Sequence, residues 1–522
     1  MSDTRKVAGA TYTSAGAEYF EKRRLKRSAG VWGLWGLAVA AVISGDFSGW
    51  NFGIATAGFG GMVIAFIILV AMYYGLIFSI GEMAAAMPHT GGAYSFARSA
   101  MGPWGGLVTG LAETIEYVAT TAVIVFFSAQ YLNGITAELL SLDLSDSMWI
   151  WWIVLYLVFI ALNSAGASIS FKFAIVVSII SIAIILVFSA MALISGKFDA
   201  ASLFDIAPDP NALGSSEFLP GGLLPILFVL PFAMWFFLGI EELPLAAEES
   251  HTPAKDIPRA GIIARGTLIV TGVLVLVLNT GVLGAEATGA SLEPLLDGFR
   301  AIVGDELAAL LAIFALIGLL ASLQGIMFAY GRNMYSLSRA GYYPKFFSLT
   351  GSRQTPWVAL VVGAVIGFVA LLVVDVLSRA NEGAGGVAGA IVLNIAVWGA
   401  VFAYFLQMVS FIILRRRFPN ANRPYRSRWG IPGAAIAAVI ALSIFVGLLV
   451  QEPYRIAIVA IVAVYLLVLL GFAIWGRHRL VLSPEEEYAL SGGLHGDPQK
   501  EGYDAMESEV LGGDAASDAP KK

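Results

Sequence analysis

The sequence predicts an all-α polytopic membrane protein: twelve transmembrane helices, arranged as two inverted five-helix repeats plus two peripheral helices. Three observations predict it. Apolar runs of bilayer-crossing length recur along most of the chain, and basic residues gather in alternate connections. The first and sixth runs, the leading members of the two five-span units, are interrupted by glycine and polar residues.

Composition supports the membrane class and removes others. Of the 522 residues, 58% are hydrophobic and 13% charged, about half the charged share of a soluble domain. There is no cysteine, so disulfide frameworks, thiolate metal sites and cysteine nucleophiles are excluded. The four histidines (His89, His251, His478 and His495) are scattered without metal-ligand spacing. No Walker-type glycine–lysine loop couples the chain to ATP. No nucleophile or cofactor motif accompanies the acids inside the spans, which disfavours a membrane enzyme. Neither a cofactor nor a nucleic-acid partner is expected. The N-terminus is polar and basic rather than a signal peptide.

Hydropathy windows place the spans at about 31–56, 60–87, 104–137, 147–165, 171–195, 221–246, 262–285, 305–338, 356–377, 387–413, 431–449 and 455–475. Repeat one covers about 31–195 and repeat two about 221–413, leaving spans at 431–475 as additions. With the N-terminus in the cytoplasm, 27 of the 31 Lys and Arg fall on that side. Lys197, Arg300, Arg379 and Arg455 are the exceptions. Both termini are therefore expected in the cytoplasm. Residues 1–29 form an arm and 30–480 the membrane domain. The formal charge of −6 is uneven, because residues 483–522 hold ten acids and three bases. The segment 481–522 lacks the apolar content to fold and reads as a disordered acidic tail.

Where the runs break is the most informative local feature. The first contains Ser44-Gly45-Asp46-Phe47-Ser48-Gly49-Trp50-Asn51, and the sixth contains Pro231 and then Trp235 to Pro244 around Gly239, Glu241 and Glu242. Unwound backbone at membrane depth is tolerated where it lines a cavity or is buried in protein. Paired interruptions in two halves point to the central solute site of an alternating-access carrier. Close packing of glycines between helices is the competing explanation.

Other residues carry a resemblance. Glu82 with Pro88, Gly91-Gly92-Ala93-Tyr94, Arg98, Gly102 and Trp104-Gly105 resembles the second helix and following loop of amino acid–polyamine–organocation permeases. Phe237 to Glu241 is similar to their sixth-helix signature, and Ala246-Ala247-Glu248-Glu249 with Pro253, Lys255 and Ile257 to Ala260 to the next loop. Ser322, Arg332-Asn333, Ser338 to Gly341 and Pro344 resemble the end of the eighth helix. The ordered matches cover 30–480, and Gly45 to Asn51 looks most like ethanolamine permeases. The resemblance implies uptake of a small organic amine, ethanolamine first, across a bacterial inner membrane, coupled to protons or sodium. A cationic or neutral amino acid permease is the alternative.

Two departures from the superfamily pattern stand out. Where amino-acid-binding members present a glycine–serine turn to a carboxylate, this chain has Asp46 and Phe47, an anion that would repel a carboxylate and attract an ammonium. Where proton-coupled members carry a lysine in the fifth helix, it has Ser181.

Ionisable side chains inside spans are functional candidates by default. The expected substrate site comprises Asp46, Phe47, Ser48, Gly49, Glu113, Glu116, Tyr117, Trp235, Gly239 and Glu241, with Trp235 offering its indole face to a cation. Glu113 and Glu116 share a helix face and act either as inward anions or as structural polar contacts. Glu241, Ser181, Ser322 and Glu82 are the candidates for coupling or gating, Glu82 alternatively pairing with loop bases such as Arg98.

Overall fold

The structure is a computed structural model and describes residues 4–7, 9–13, 25–380, 387–451 and 455–481. Almost every apolar run is a helix, because a chain in hydrocarbon must pair its backbone N–H and C=O groups internally. The first run is split into α1 (Val31–Val42) and α2 (Ser44–Phe47), and α3 spans Phe52–Ala86. Further helices are α4 (Ala93–Leu140), α5 (Trp149–Ser164) and α6 (Ala167–Ile194). The second half begins with α7 (Pro225–Met234), a 3-10 stretch Ile240–Glu249 and α8 (Pro253–Leu283). Two short helices, α9 (Ala285–Ala290) and α10 (Pro294–Val303), lead to α11 (Asp305–Arg339). The chain ends with α12 (Trp357–Ala380), α13 (Val387–Arg417), α14 (Gly430–Val450) and α15 (Arg455–Ile474).

Among the described residues nine helices are long and apolar enough to cross a membrane, and three shorter apolar ones cover Val31–Phe47, Trp149–Ser164 and Pro225–Met234. Together they occupy the twelve expected spans. The two overlong helices are each two helices joined at a left-handed glycine. Gly58 separates the short continuation of the first span from the second, and Gly102, followed by Pro103, separates a loop helix from the third. Helix α4 is central, packing against α11, α12 and α13, while α1 packs against α6, α8 and α11. A single apolar cluster runs through all these contacts.

One element was not foreseen. Strand β1 (Thr4–Val7) pairs antiparallel with β2 (Ala10–Thr13), which pairs parallel with β3 (Leu480–Val481). The Val481 amide donates to the Ala340 carbonyl at the end of α11 (3.0 Å). The N-terminal hairpin and the segment after α15 therefore meet at one end of the bundle, the same end as Glu248, Glu249 and Arg339. Val481 belongs to this sheet rather than to the expected tail, whose remainder, 482–522, lies outside the described residues.

Candidate functional site

The two interrupted helices touch at their breaks. After α2 the chain turns through Ser48 to Asn51, and after α7 it turns through Trp235 to Gly239. A Cβ on Gly45 would lie 2.0 Å from the Trp235 carbonyl oxygen, so only glycine lets these backbones meet. Gly49 adopts φ +96°, and a Cβ there would approach the Trp235 indole to 2.9 Å. Ser322 on α11 spans the first break: it accepts from the Ser44 amide (2.8 Å) and donates to the Ala40 carbonyl (2.6 Å). The Asn51 amide group donates to the Thr288 and Ser291 carbonyls (2.9 and 2.7 Å), holding the far side of the turn.

Asp46 projects from this break. It is 1% exposed and has no basic partner among the described residues, the Thr271 hydroxyl of α8 being the polar group beside it. Its neighbours are otherwise occupied. The Phe47 ring packs where a Gly318 Cβ would stand, and its carbonyl accepts from the Tyr131 hydroxyl at 3.0 Å. The Ser48 hydroxyl donates to the Leu292 carbonyl (3.2 Å), and the Gly49 amide to the Asn51 side chain (3.2 Å).

A second group of acids lies between α4, α11, α13 and the 3-10 stretch. Glu113 accepts from the Asn333 amide (3.0 Å) and from Tyr117 (3.5 Å). Thr114 donates to the Asn333 carbonyl oxygen (2.7 Å) and meets the Tyr343 hydroxyl (2.9 Å). Glu116 accepts from the Tyr404 hydroxyl (3.3 Å), which lies 3.4 Å from that of Tyr73. Glu241 turns back on its own segment and accepts from the Gly239 amide (3.1 Å). Glu113 and Glu116 thus face protein polar groups rather than lipid. Asp46 shares no hydrogen bond with this group, so the expected residues form two neighbouring clusters rather than one.

Two expected placements take a different form in the structure. Glu82 pairs with Arg415 (2.7 Å) and Arg423 (3.1 Å) and accepts from the Ser427 amide (2.6 Å), rather than pairing with Arg98. This triple engagement makes it a structural anchor between α3 and the end of α13. Ser181 donates to the Val177 carbonyl one turn back in its own helix α6 (2.7 Å). Ser178, three residues earlier, instead donates to the Gly36 carbonyl of α1 (3.0 Å) and is the hydroxyl that ties the fifth span to the first.

Sequence reasoning missed Tyr73, Tyr404, Asn333 and Thr271. A mid-span tyrosine hydroxyl needs a partner when buried, and that signal singles out Tyr73 and Tyr404. It also missed the closure at the basic-rich end, where Arg332 engages Glu249 with two nitrogens (2.9 and 3.2 Å), both side chains fully buried. Arg339, Glu248 and His89 lie alongside, and the Ser28 and Ala29 amides cap the Glu249 carbonyl (2.7 and 2.9 Å).

Comparison with known proteins agrees with this geometry. Residues 33–483 match the amino acid permease family. The chain is 28% identical to an uncharacterized transporter of Rhizobium meliloti (strain 1021), over 67% of this chain and 73% of that protein. A putative histidine permease of Bacillus subtilis (strain 168) is 24% identical, with 76% and 81% covered. The branched-chain amino acid permease of the same organism is also 24% identical, with 82% and 89% covered.

Proposed function

The chain belongs to the amino acid permease family, and on that premise we propose that it takes up a small solute bearing a protonated primary amine, ethanolamine first, driven by the proton gradient. The observation that carries this reading is Asp46: a buried carboxyl with no basic partner among the described residues, set at the break of the first helix. A carboxylate taken out of water needs a countercharge. The amine supplies that charge when the solute enters, and Trp235 on the facing break offers its ring to the same cation. Arg332, the buried base near the end of α11, is paired with Glu249 through two of its guanidinium nitrogens.

A second reading, uptake of a cationic or neutral amino acid, is favoured by the names of the relatives, which include histidine and branched-chain amino acid permeases. The readings differ in whether the solute's carboxylate is required. Labelled ethanolamine uptake is measured against excess ethanolamine, serine, alanine, histidine and lysine. The amine reading expects ethanolamine alone to compete. Uptake blocked by the amino acids gives the second reading instead. The end carrying β1 to β3 and the Glu249–Arg332 pair is assigned to the cytoplasm of a bacterial inner membrane, following the distribution of Lys and Arg.

A further inference from the structure

We propose that Arg265 anchors a binding site for the head-group phosphate of an anionic phospholipid, on the membrane face assigned to the cytoplasm. The site is independent of which solute the carrier takes. Arg265 stands where α8 enters hydrocarbon, since the 20 residues that follow it, 266–285, hold no charged side chain. It is 5% exposed. The guanidinium lies over the Tyr74 ring, 3.5 Å from its centroid, with the Phe78 ring at 5.1 Å, both on α3. Its Nε and Nη1 atoms are buried without a hydrogen-bond partner among the described residues, Tyr74 being the polar residue beside it. The Tyr425 ring packs on the same face of α3, 3.3 Å from where a Gly81 Cβ would stand, and its hydroxyl is likewise buried and unpartnered.

A guanidinium withdrawn from water is costly unless an anion meets it. The surrounding elements supply none. Helices α3 and α8 and residues 415–450 together hold two acids, Glu82 and Asp256. Glu82 is taken by Arg415 and Arg423 and by the Ser427 amide. Asp256 accepts from the Ser250 and Thr252 hydroxyls (3.2 and 2.7 Å). Stacking on two rings offsets part of the cost, and an anion from outside the protein meets the rest.

The rim of the cluster selects a lipid as the source of that anion. Trp429 stacks on Tyr74 (centroids 5.3 Å apart, planes at 17°) and is 40% exposed, as an aromatic side chain at the membrane interface is. Arg426 and Arg428, exposed on the same connection, add the positive charge that draws anionic head groups to this surface. Both α8 and α14 pack on α3. Deeper in the membrane they expose Val270 and Val273, and Ile436 and Val439, an apolar surface for acyl chains. The planar guanidinium offers two N–H edges to two phosphate oxygens. Inorganic phosphate would meet the same nitrogens but would leave those flanks uncovered.

Native mass spectrometry of the purified full-length protein, offered equimolar phosphatidylglycerol and phosphatidylcholine, tests the site. Hydrogen bonds to a charged group should favour the phosphatidylglycerol adduct of the wild type roughly 10- to 150-fold. Arg265→Gln should bind the two lipids about equally. Arg416→Gln, which removes an exposed base outside the cluster, should keep the wild-type preference. Arg265→Lys keeps the charge, loses the fork and should retain only part of the preference; it replaces the glutamine variant should that one fail to fold. Excess inorganic phosphate should leave the phosphatidylglycerol adduct in place. Full preference in the Arg265 variant overturns the proposal. So does a loss in Arg416→Gln as large as in Arg265→Gln, which would mean surface charge alone. Displacement of the lipid by phosphate also overturns it, because the ligand would then be a free anion.

Discussion

In the proposed site Asp46 and Trp235 divide the work of holding a cation, and substitution separates them. Asp46→Asn keeps size and removes charge. Because hydrogen bonds to charged groups contribute about 1.5–3 kcal/mol, ethanolamine affinity should fall roughly 10- to 150-fold, with expression and melting temperature preserved. Calorimetry showing wild-type affinity in the Asn variant would remove Asp46 from the site. Trp235 stands against Gly49 across the break and contributes ring density rather than charge. Affinity should therefore fall in the order Trp, Phe, Ala, over a range of about 0.5–2 kcal/mol. An Ala variant that binds as tightly as the wild type would show that the ring only packs. The residue scale is also where the sequence was least legible. Helix α6 is apolar on nearly every side, so nothing in its pattern reveals that Ser178 rather than Ser181 meets α1. Glu82 finds its bases more than 300 residues away, a pairing that only the tertiary fold decides.

At the scale of elements, the breaks themselves were readable, because glycine and acids inside an apolar run have few uses. What they touch was not. The 3-10 stretch after the sixth-span break is held to α11 by Glu249 and Arg332, both fully buried. Removing one member of such a pair strands a charge and costs about 3–5 kcal/mol, whereas replacing both by apolar residues of similar volume is nearly neutral. Glu249→Gln should accordingly lower the melting temperature of the purified protein, and Glu249→Leu with Arg332→Met should restore most of the loss. Equal melting temperatures for the single and double variants would contradict this account of the closure. The small β-sheet escaped prediction for a different reason. Its strands are two to four residues long, too short for a periodic pattern to mark them, and the pairing joins segments more than 460 residues apart in sequence.

For the whole molecule, the number and order of the apolar helices were legible because bilayer thickness sets a minimum length for each run, whereas helix ends were not, since α4 starts at Ala93 and α7 stops at Met234. Orientation follows from basic residues and is tested by labelling, for which the natural lack of cysteine provides a clean background. Asn211 and Asn420 are both exposed. An Asn211→Cys protein should react with an impermeant maleimide from outside intact cells, and an Asn420→Cys protein should not; the reverse pattern would invert the assigned topology. The central claim is that two touching broken helices make this chain a carrier, with a site open to one side at a time. Counterflow tests it most directly. Purified protein is reconstituted into liposomes loaded with unlabelled ethanolamine, and a trace of labelled ethanolamine is added outside. A carrier concentrates the label transiently above its external level as internal ethanolamine leaves. Label that only equilibrates would make the protein a channel, and label that never enters would contradict ethanolamine as the solute.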